Sequence, residues 1–228
     1  MSSEKPIPQS INYQSSTINC PFMTLPALLE HFGVAVAALS GVLAARDKHL
    51  DLFGVLVLAL VTAFGGGSLR DMLLGDGAVV WLRSPEFFTT VCITAVISFF
   101  LCQWWTPPAN LLLVADALAL GFFAVVGTRK GLTLGFAPSV SITLGVITGV
   151  AGGIIRDTLT GRVPLVFRQD TYFYATAAMF GGLVYWLLRT PLGDDRATWI
   201  ALTSALLLRL SAIRYRLSLP AFKPGNIA

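Results

Sequence analysis

Charge is scarce in this chain. Asp, Glu, Lys and Arg make up 12% of its 228 residues, about half the roughly 25% of an ordinary soluble domain. With 55% hydrophobic residues and a mean hydropathy of +0.73, this excludes a soluble globular domain and leaves an integral membrane protein. Cysteine is scarce too. Cys20, Cys92 and Cys102 form no C-x-x-C, and two of them fall in one apolar run, so neither a disulfide framework nor a zinc site is supported. His31 and His49 have no ligand-like companions, and no metal is assigned. The first 24 residues carry a single basic residue, Lys5, unlike the cationic start of a cleaved signal peptide, and read as a short disordered polar tail. The net charge of +4 comes from Lys and Arg scattered through short segments and not from a basic stripe, which argues against a nucleic-acid partner. A G-x-x-x-x-G-K-[ST] loop, an H-E-x-x-H pair and a nucleophile elbow are all missing, which argues against an intramembrane enzyme.

What is present is a series of apolar runs at about 25–45, 52–74, 87–105, 111–128, 138–158, 171–188 and 197–213. A helix needs about 20 residues to cross roughly 30 Å of hydrocarbon, so the pattern predicts seven transmembrane helices. Backbone polar groups find no water in lipid, and any break in a span must be shielded by protein or line a cavity. Against that rule the stretch "AFGGGSLRDMLLGDG", Ala63 to Gly77, is anomalous, because it puts three glycines, an arginine and an aspartate into the second run. Leu52 to Phe64 is only thirteen residues, about 20 Å of helix. The second span is therefore expected to break before it has crossed.

The fifth run answers the second at a constant offset of 86. Thr62 aligns with Thr148, Gly66 with Gly152, Gly67 with Gly153, Arg70 with Arg156, Asp71 with Asp157, Leu73 with Leu159 and Gly75 with Gly161, so seven of the sixteen positions from 61 to 76 are identical. The same offset pairs Gly41 with Gly127 and sets Glu30 opposite Asp116. The chain reads as a duplicated unit, residues 25–110 and 111–193, followed by a seventh helix at 194–214 and a cytoplasmic tail at 215–228. Three spans per unit is an odd number, so the second copy enters the membrane from the opposite side and the repeats are inverted. A solute site in such an architecture lies near the midplane, where interrupted helices of the two repeats meet.

Gly65, Gly66, Gly67, Gly152 and Gly153 would kink the second and fifth spans and free carbonyls for water or an ion, or else would serve close helix packing. Arg70, Asp71, Arg156 and Asp157 each cost about 2.5–3.5 kcal/mol at the centre of a membrane helix, and they should be paired or wet. Neighbours on a helix point about 100° apart, which suggests crossed pairs, Arg70 with Asp157 and Arg156 with Asp71. The competing expectation is that both pairs end their spans in interfacial water. Asp116 has apolar neighbours on both sides and should face a cavity or a partner helix. Glu30, Arg129 and Lys130 read as interface residues, with Lys130 also a candidate guard of a pore mouth. Lys and Arg divide almost evenly between the two faces, with a small bias that puts the carboxyl terminus in the cytoplasm and the amino terminus outside.

The segments "GGGSLRD", "GGIIRD", "AALSGVLAARDKHLDLFG" and "ADALALGFFAVVGTRKGL" resemble those of the prokaryotic trimeric intracellular cation channel (TRIC) family, bacterial inner-membrane proteins that also carry glycine-transporter-like labels. The resemblance covers residues 25 to 214. It implies seven helices as two inverted three-helix repeats plus one, assembled as a homotrimer in the lipid membrane. It further implies a pore in each subunit, lined by the glycine-kinked second and fifth helices, that passes monovalent cations, potassium foremost, with no cofactor beyond the permeating potassium or sodium ion. Weak ligands would come from the kinks and from Thr62, Ser68 and Thr148. Where animal members carry a lysine-containing motif, this chain has Arg70 and Asp71. A secondary transporter for a small zwitterion such as glycine uses the same architecture and stands as the alternative.

Overall fold

A computed structural model of the chain describes residues 27–75, 77–108, 110–168 and 173–215. The polar tail at 1–24, Cys20 and almost all of the tail at 215–228 lie outside the described residues. Among those described there are eight α-helices: α1 (Ala27–Ala45), α2 (Leu52–Leu74), the single turn α3 (Val80–Arg83), α4 (Pro85–Trp104), α5 (Leu111–Thr133), α6 (Pro138–Leu159), α7 (Tyr174–Leu192) and α8 (Asp194–Tyr215), with short 3-10 turns at Arg46–Lys48 and Leu165–Phe167. Local chemistry sets the ends. The Asp51 side chain accepts from Gly54 N at 2.8 Å and caps α2, while Pro85 and Pro138 open α4 and α6. Gly75 (φ 63°) and Gly161 (φ 65°) follow α2 and α6 in the left-handed conformation that only glycine adopts without strain.

The offset of 86 governs the elements as well as the letters. Added to the bounds of α1, α2 and α4 it gives 113–131, 138–160 and 171–190, against observed bounds of 111–133 for α5, 138–159 for α6 and 174–192 for α7. Helix α5 occupies the centre, against α1, α6, α7 and α8, and the two triplets meet where α2 packs on α6 and α1 on α5.

Among the described residues, six helices are long and apolar enough to cross a membrane: α1, α2, α4, α5, α6 and α8. The expected sixth span, α7, is not among them. It has 19 residues but carries two glycines, Tyr174, Tyr185, Arg189 and Pro191, which dilute its hydropathy. Small residues such as Ala37, Ala38, Ala59, Ala95 and Ala124 fill the interior, while Phe53, Ile93, Ile97 and Leu207 point outward. This distribution suits lipid, where association depends on close packing and not on burying large side chains away from water.

The expected interruption of the second and fifth spans is corrected here. Helix α2 runs unbroken for 23 residues and α6 for 22, straight through their glycines. The glycines are spent on approach instead. A Cβ on Gly66 would collide with the Thr148 carbonyl oxygen, and one on Gly152 with the Thr62 carbonyl oxygen. Since 62 pairs with 148 and 66 with 152 at the offset of 86, the contact is reciprocal, as between the halves of a two-fold pair.

Candidate functional site

The crossing falls midway along α2 and α6, which run antiparallel there. Thr62 Oγ1 donates to Leu58 O at 2.6 Å and Thr148 Oγ1 to Leu144 O at 2.6 Å, again one offset apart. Each hydroxyl spends its proton on its own helix and keeps its lone pairs available. The paired glycines of the neighbouring helices make room for them: a Cβ on Gly41 would sit 3.0 Å from Thr62 Oγ1, and one on Gly127 2.6 Å from Thr148 Oγ1.

Each end of the crossing carries a buried ionic cluster. In the first, Arg70 Nε donates to Asp71 Oδ1 at 2.9 Å, Lys130 Nζ donates to the same oxygen at 2.8 Å, and Asp71 Oδ2 accepts from the backbone N–H of Val80 at 3.1 Å. In the second, Arg156 Nε donates to Asp157 Oδ1 at 2.8 Å, and Asp157 Oδ2 accepts from Leu165 N at 3.0 Å. There Arg156 Nη1 also donates to Asp116 Oδ1 at 2.8 Å and to Ser40 Oγ at 3.2 Å. Both aspartates thus use one oxygen for the adjacent arginine and the other to cap the short helical turn that follows the span, the place where an anion is favoured.

These bonds overturn the crossed pairing. Arg70 binds Asp71 and Arg156 binds Asp157, because a long guanidinium folds back along its own helix although the two Cβ atoms diverge. Nor do the pairs end in water, since Arg156 is 0% and Asp71 1% exposed. Asp116 faces a partner helix, and Lys130 is a buried ion-pair partner of α2. Arg129 likewise turns inward, to Asp194 at 2.5 Å.

Two cavities accompany the crossing. The smaller, about 10 Å³, is lined by residues that include Ser40, Thr62, Gly66, Asp116, Thr148, Gly152 and Gly153, and holds about one water. Asp116 Oδ2 and Arg156 Nη2 are buried near it without a hydrogen-bond partner among the described residues, so the junction suits water or an ion. The empty side-chain position of Gly153 is bordered by the Tyr174 hydroxyl at 2.9 Å, Asp116 Oδ1 at 3.3 Å and Arg156 Nη2 at 3.7 Å. The larger cavity, about 270 Å³, has Glu30, Gly67, Ser68, Arg70 and Trp81 in its wall, and Trp81 Nε1 donates to Ser68 Oγ at 3.2 Å. Ala63 and Phe123 line both cavities, so one layer of side chains separates them. Gly65 points elsewhere, toward Ile155.

Sequence reading missed Ser40, Phe123, Tyr174 and Arg209. Arg209 is 1% exposed with its guanidinium carbon 4.8 Å from the centre of the Tyr174 ring. Its signal was available, since "LLLRLSAI" places a lone arginine inside an apolar helix.

Comparison with known proteins gives these features a family. The sequence model of a family described as Glycine transporter matches twice, at residues 27–104 and 113–190, two copies one offset of 86 apart. The UPF0126 inner membrane protein YadS of Escherichia coli is 41% identical over 85% of this chain and 94% of its own length. YvgT of Bacillus subtilis, a UPF0126 membrane protein, is 34% identical over 85% of this chain and 94% of its own. Among solved structures, the TRIC trimeric intracellular cation channel orthologue from Rhodobacter sphaeroides superposes with a TM-score of 0.78 at 33% identity, covering 84% of this chain and 98% of that one. A second, solved to explain conductance through TRIC cation channels, superposes with a TM-score of 0.78 at 32% identity over 87% of this chain and 98% of that one. The duplicated glycine-Arg-Asp units, the multi-pass helical fold and these likenesses together place the chain in the prokaryotic TRIC family, among the UPF0126 membrane proteins.

Proposed function

We propose that the chain forms a monovalent cation channel, potassium foremost, with a pore inside each subunit between α2 and α6. The observation that carries this reading is the pair of adjoining cavities at the α2–α6 crossing, one holding lone-pair oxygens of Thr62 and Thr148 and both walled by Ala63 and Phe123. A cation leaving the larger cavity would pass Phe123, meet these weak oxygen ligands and exit past Asp116. Weak ligation matters because conduction requires the ion to leave as readily as it enters. With about 10 Å³ at the crossing, the passage is shut in this conformation. The two ionic clusters would hold the ends of α2 and α6 in register and shape the field along the route.

The reading extends to the assembly. Seven spans, with α7 shielded by α8 and α5, would form two inverted repeats, supported by the antiparallel contact of α2 with α6 and by the reciprocal Gly66–Thr148 and Gly152–Thr62 approach. The subunits would assemble as a homotrimer in the plasma membrane, amino terminus outside and carboxyl terminus in the cytoplasm. A carrier for a small zwitterion is the competing reading, favoured by the glycine-transporter match. Purified protein in a planar bilayer distinguishes the two: potassium current with discrete openings is expected, whereas saturable glycine counterflow in liposomes without current would overturn the channel.

A further inference from the structure

The larger cavity lies where the first repeat has no counterpart of an ion pair that the second one forms. Glu30 stands one offset of 86 before Asp116. Asp116 reaches Arg156 at 2.8 Å, but no ion pair joins Glu30 to Arg70, and the space between them is the cavity of about 270 Å³. The charges around it are unequally satisfied. Arg70 is held by Asp71. Arg129, whose field reaches Glu30, is held by Asp194. The half-buried Glu30 carboxylate has no hydrogen-bond or ion-pair partner among the described residues, and a second carboxylate, Glu86, lies at the rim. The rest of the wall is largely aromatic and aliphatic, with Phe64 stacked on Trp81 at 5.7 Å between centroids, Phe87 tilted against His31 at 4.8 Å, and Val34, Val80 and Val126 beside them.

We propose that this cavity is a binding site for an organic ammonium ion with a compact aromatic or apolar body, its ammonium group at Glu30 and its body against Trp81 and Phe87. A carboxylate freed of other partners gives a charge-assisted bond, ring faces attract a cation, and apolar wall area rewards a hydrophobic body. The volume of about 270 Å³ is many times that needed for one water and has room for a body the size of phenethylamine. Such a cation would occupy the mouth of the proposed ion route and so block it, but its binding stands independently of whether the chain conducts.

The test is calorimetric titration of the full chain in detergent micelles with phenethylamine, with the neutral 2-phenylethanol, and with phenylalanine. Phenethylamine should bind saturably, and 2-phenylethanol about tenfold or more weakly. Phenylalanine should also be weaker, because its carboxylate would face Glu30 while Arg70 is already engaged. Glu30→Gln should cost phenethylamine about tenfold or more at an unchanged melting temperature, which separates the site from partition into the micelle. Trp81→Phe, a milder change in the wall, should weaken the same ligand less. Equal binding of the neutral alcohol, tighter binding of phenylalanine, or an unaffected Glu30→Gln would each overturn the assignment. Phenethylamine binding without potassium current would retain this site and sink only the channel reading.

Discussion

At the scale of single residues, the costly groups of this protein are its buried charges, and Asp71 and Asp157 each serve more than one partner at once. Asp71 neutralises Arg70 and Lys130 with one oxygen while the other caps the turn at Val80. Asp71→Asn leaves two buried cations against a neutral amide, and breaking a buried pair from one side costs about 3–5 kcal/mol. The expected outcome is a markedly lowered melting temperature of the purified protein, with a smaller loss for Lys130→Met, which removes a cation and leaves the Arg70 pair intact. Phe123 stands at the opposite extreme, since it bonds to nothing polar and separates two cavities. Phe123→Ala should merge them, and single-channel recording should find potassium current raised several-fold in a protein that still folds; unchanged current would place the constriction elsewhere.

At the scale of elements, the three consecutive glycines of α2 have three different surroundings. Gly66 meets the Thr148 backbone, Gly65 points toward Ile155, and a Cβ on Gly67 would find only Arg70 Nη2, at 3.9 Å. Gly66→Ala should therefore push α2 from α6, at about 1–3 kcal/mol for overpacking. Gly67→Ala should be neutral or stabilising, by up to about 1 kcal/mol from helix propensity. Thermal melts of the two variants side by side test whether the glycines serve packing or a break. If both were tolerated alike, the close crossing would lose its explanation. The reciprocal variant Gly152→Ala should behave as Gly66→Ala does, because it meets the Thr62 carbonyl in the same way.

At the scale of the whole molecule, the two triplets share a plan but not a state. The second closes on itself through Asp116 and Arg156, while the first keeps a cavity between Glu30 and Arg70. A single chain buries little beyond α5 and its neighbours and leaves large apolar residues outward on α2, α4 and α8. Native mass spectrometry from mild detergent should give an assembly of three 24.4 kDa chains, as in the TRIC orthologue from Rhodobacter sphaeroides described as trimeric; a monomer retaining full activity would count against trimer formation as a requirement.

The letters alone determined that this is a helical membrane protein, where most of its spans lie, and that its glycine-Arg-Asp unit occurs twice, because hydropathy and duplication are properties of the chain taken one position at a time. They also marked Thr62, Gly66, Arg70 and Asp71 with their counterparts as the residues needing explanation. Tertiary structure alone decided what each partner was. Whether Arg156 turns to Asp71 or to Asp157 and Asp116, and whether a glycine breaks a helix or admits another one, depends on which backbone stands within a few ångströms. In a close-packed interior that distance is set by every helix together. Hence Ser40, Phe123 and Tyr174 carried no local signal, and the crossing they surround became visible only when α2 and α6 were brought into contact.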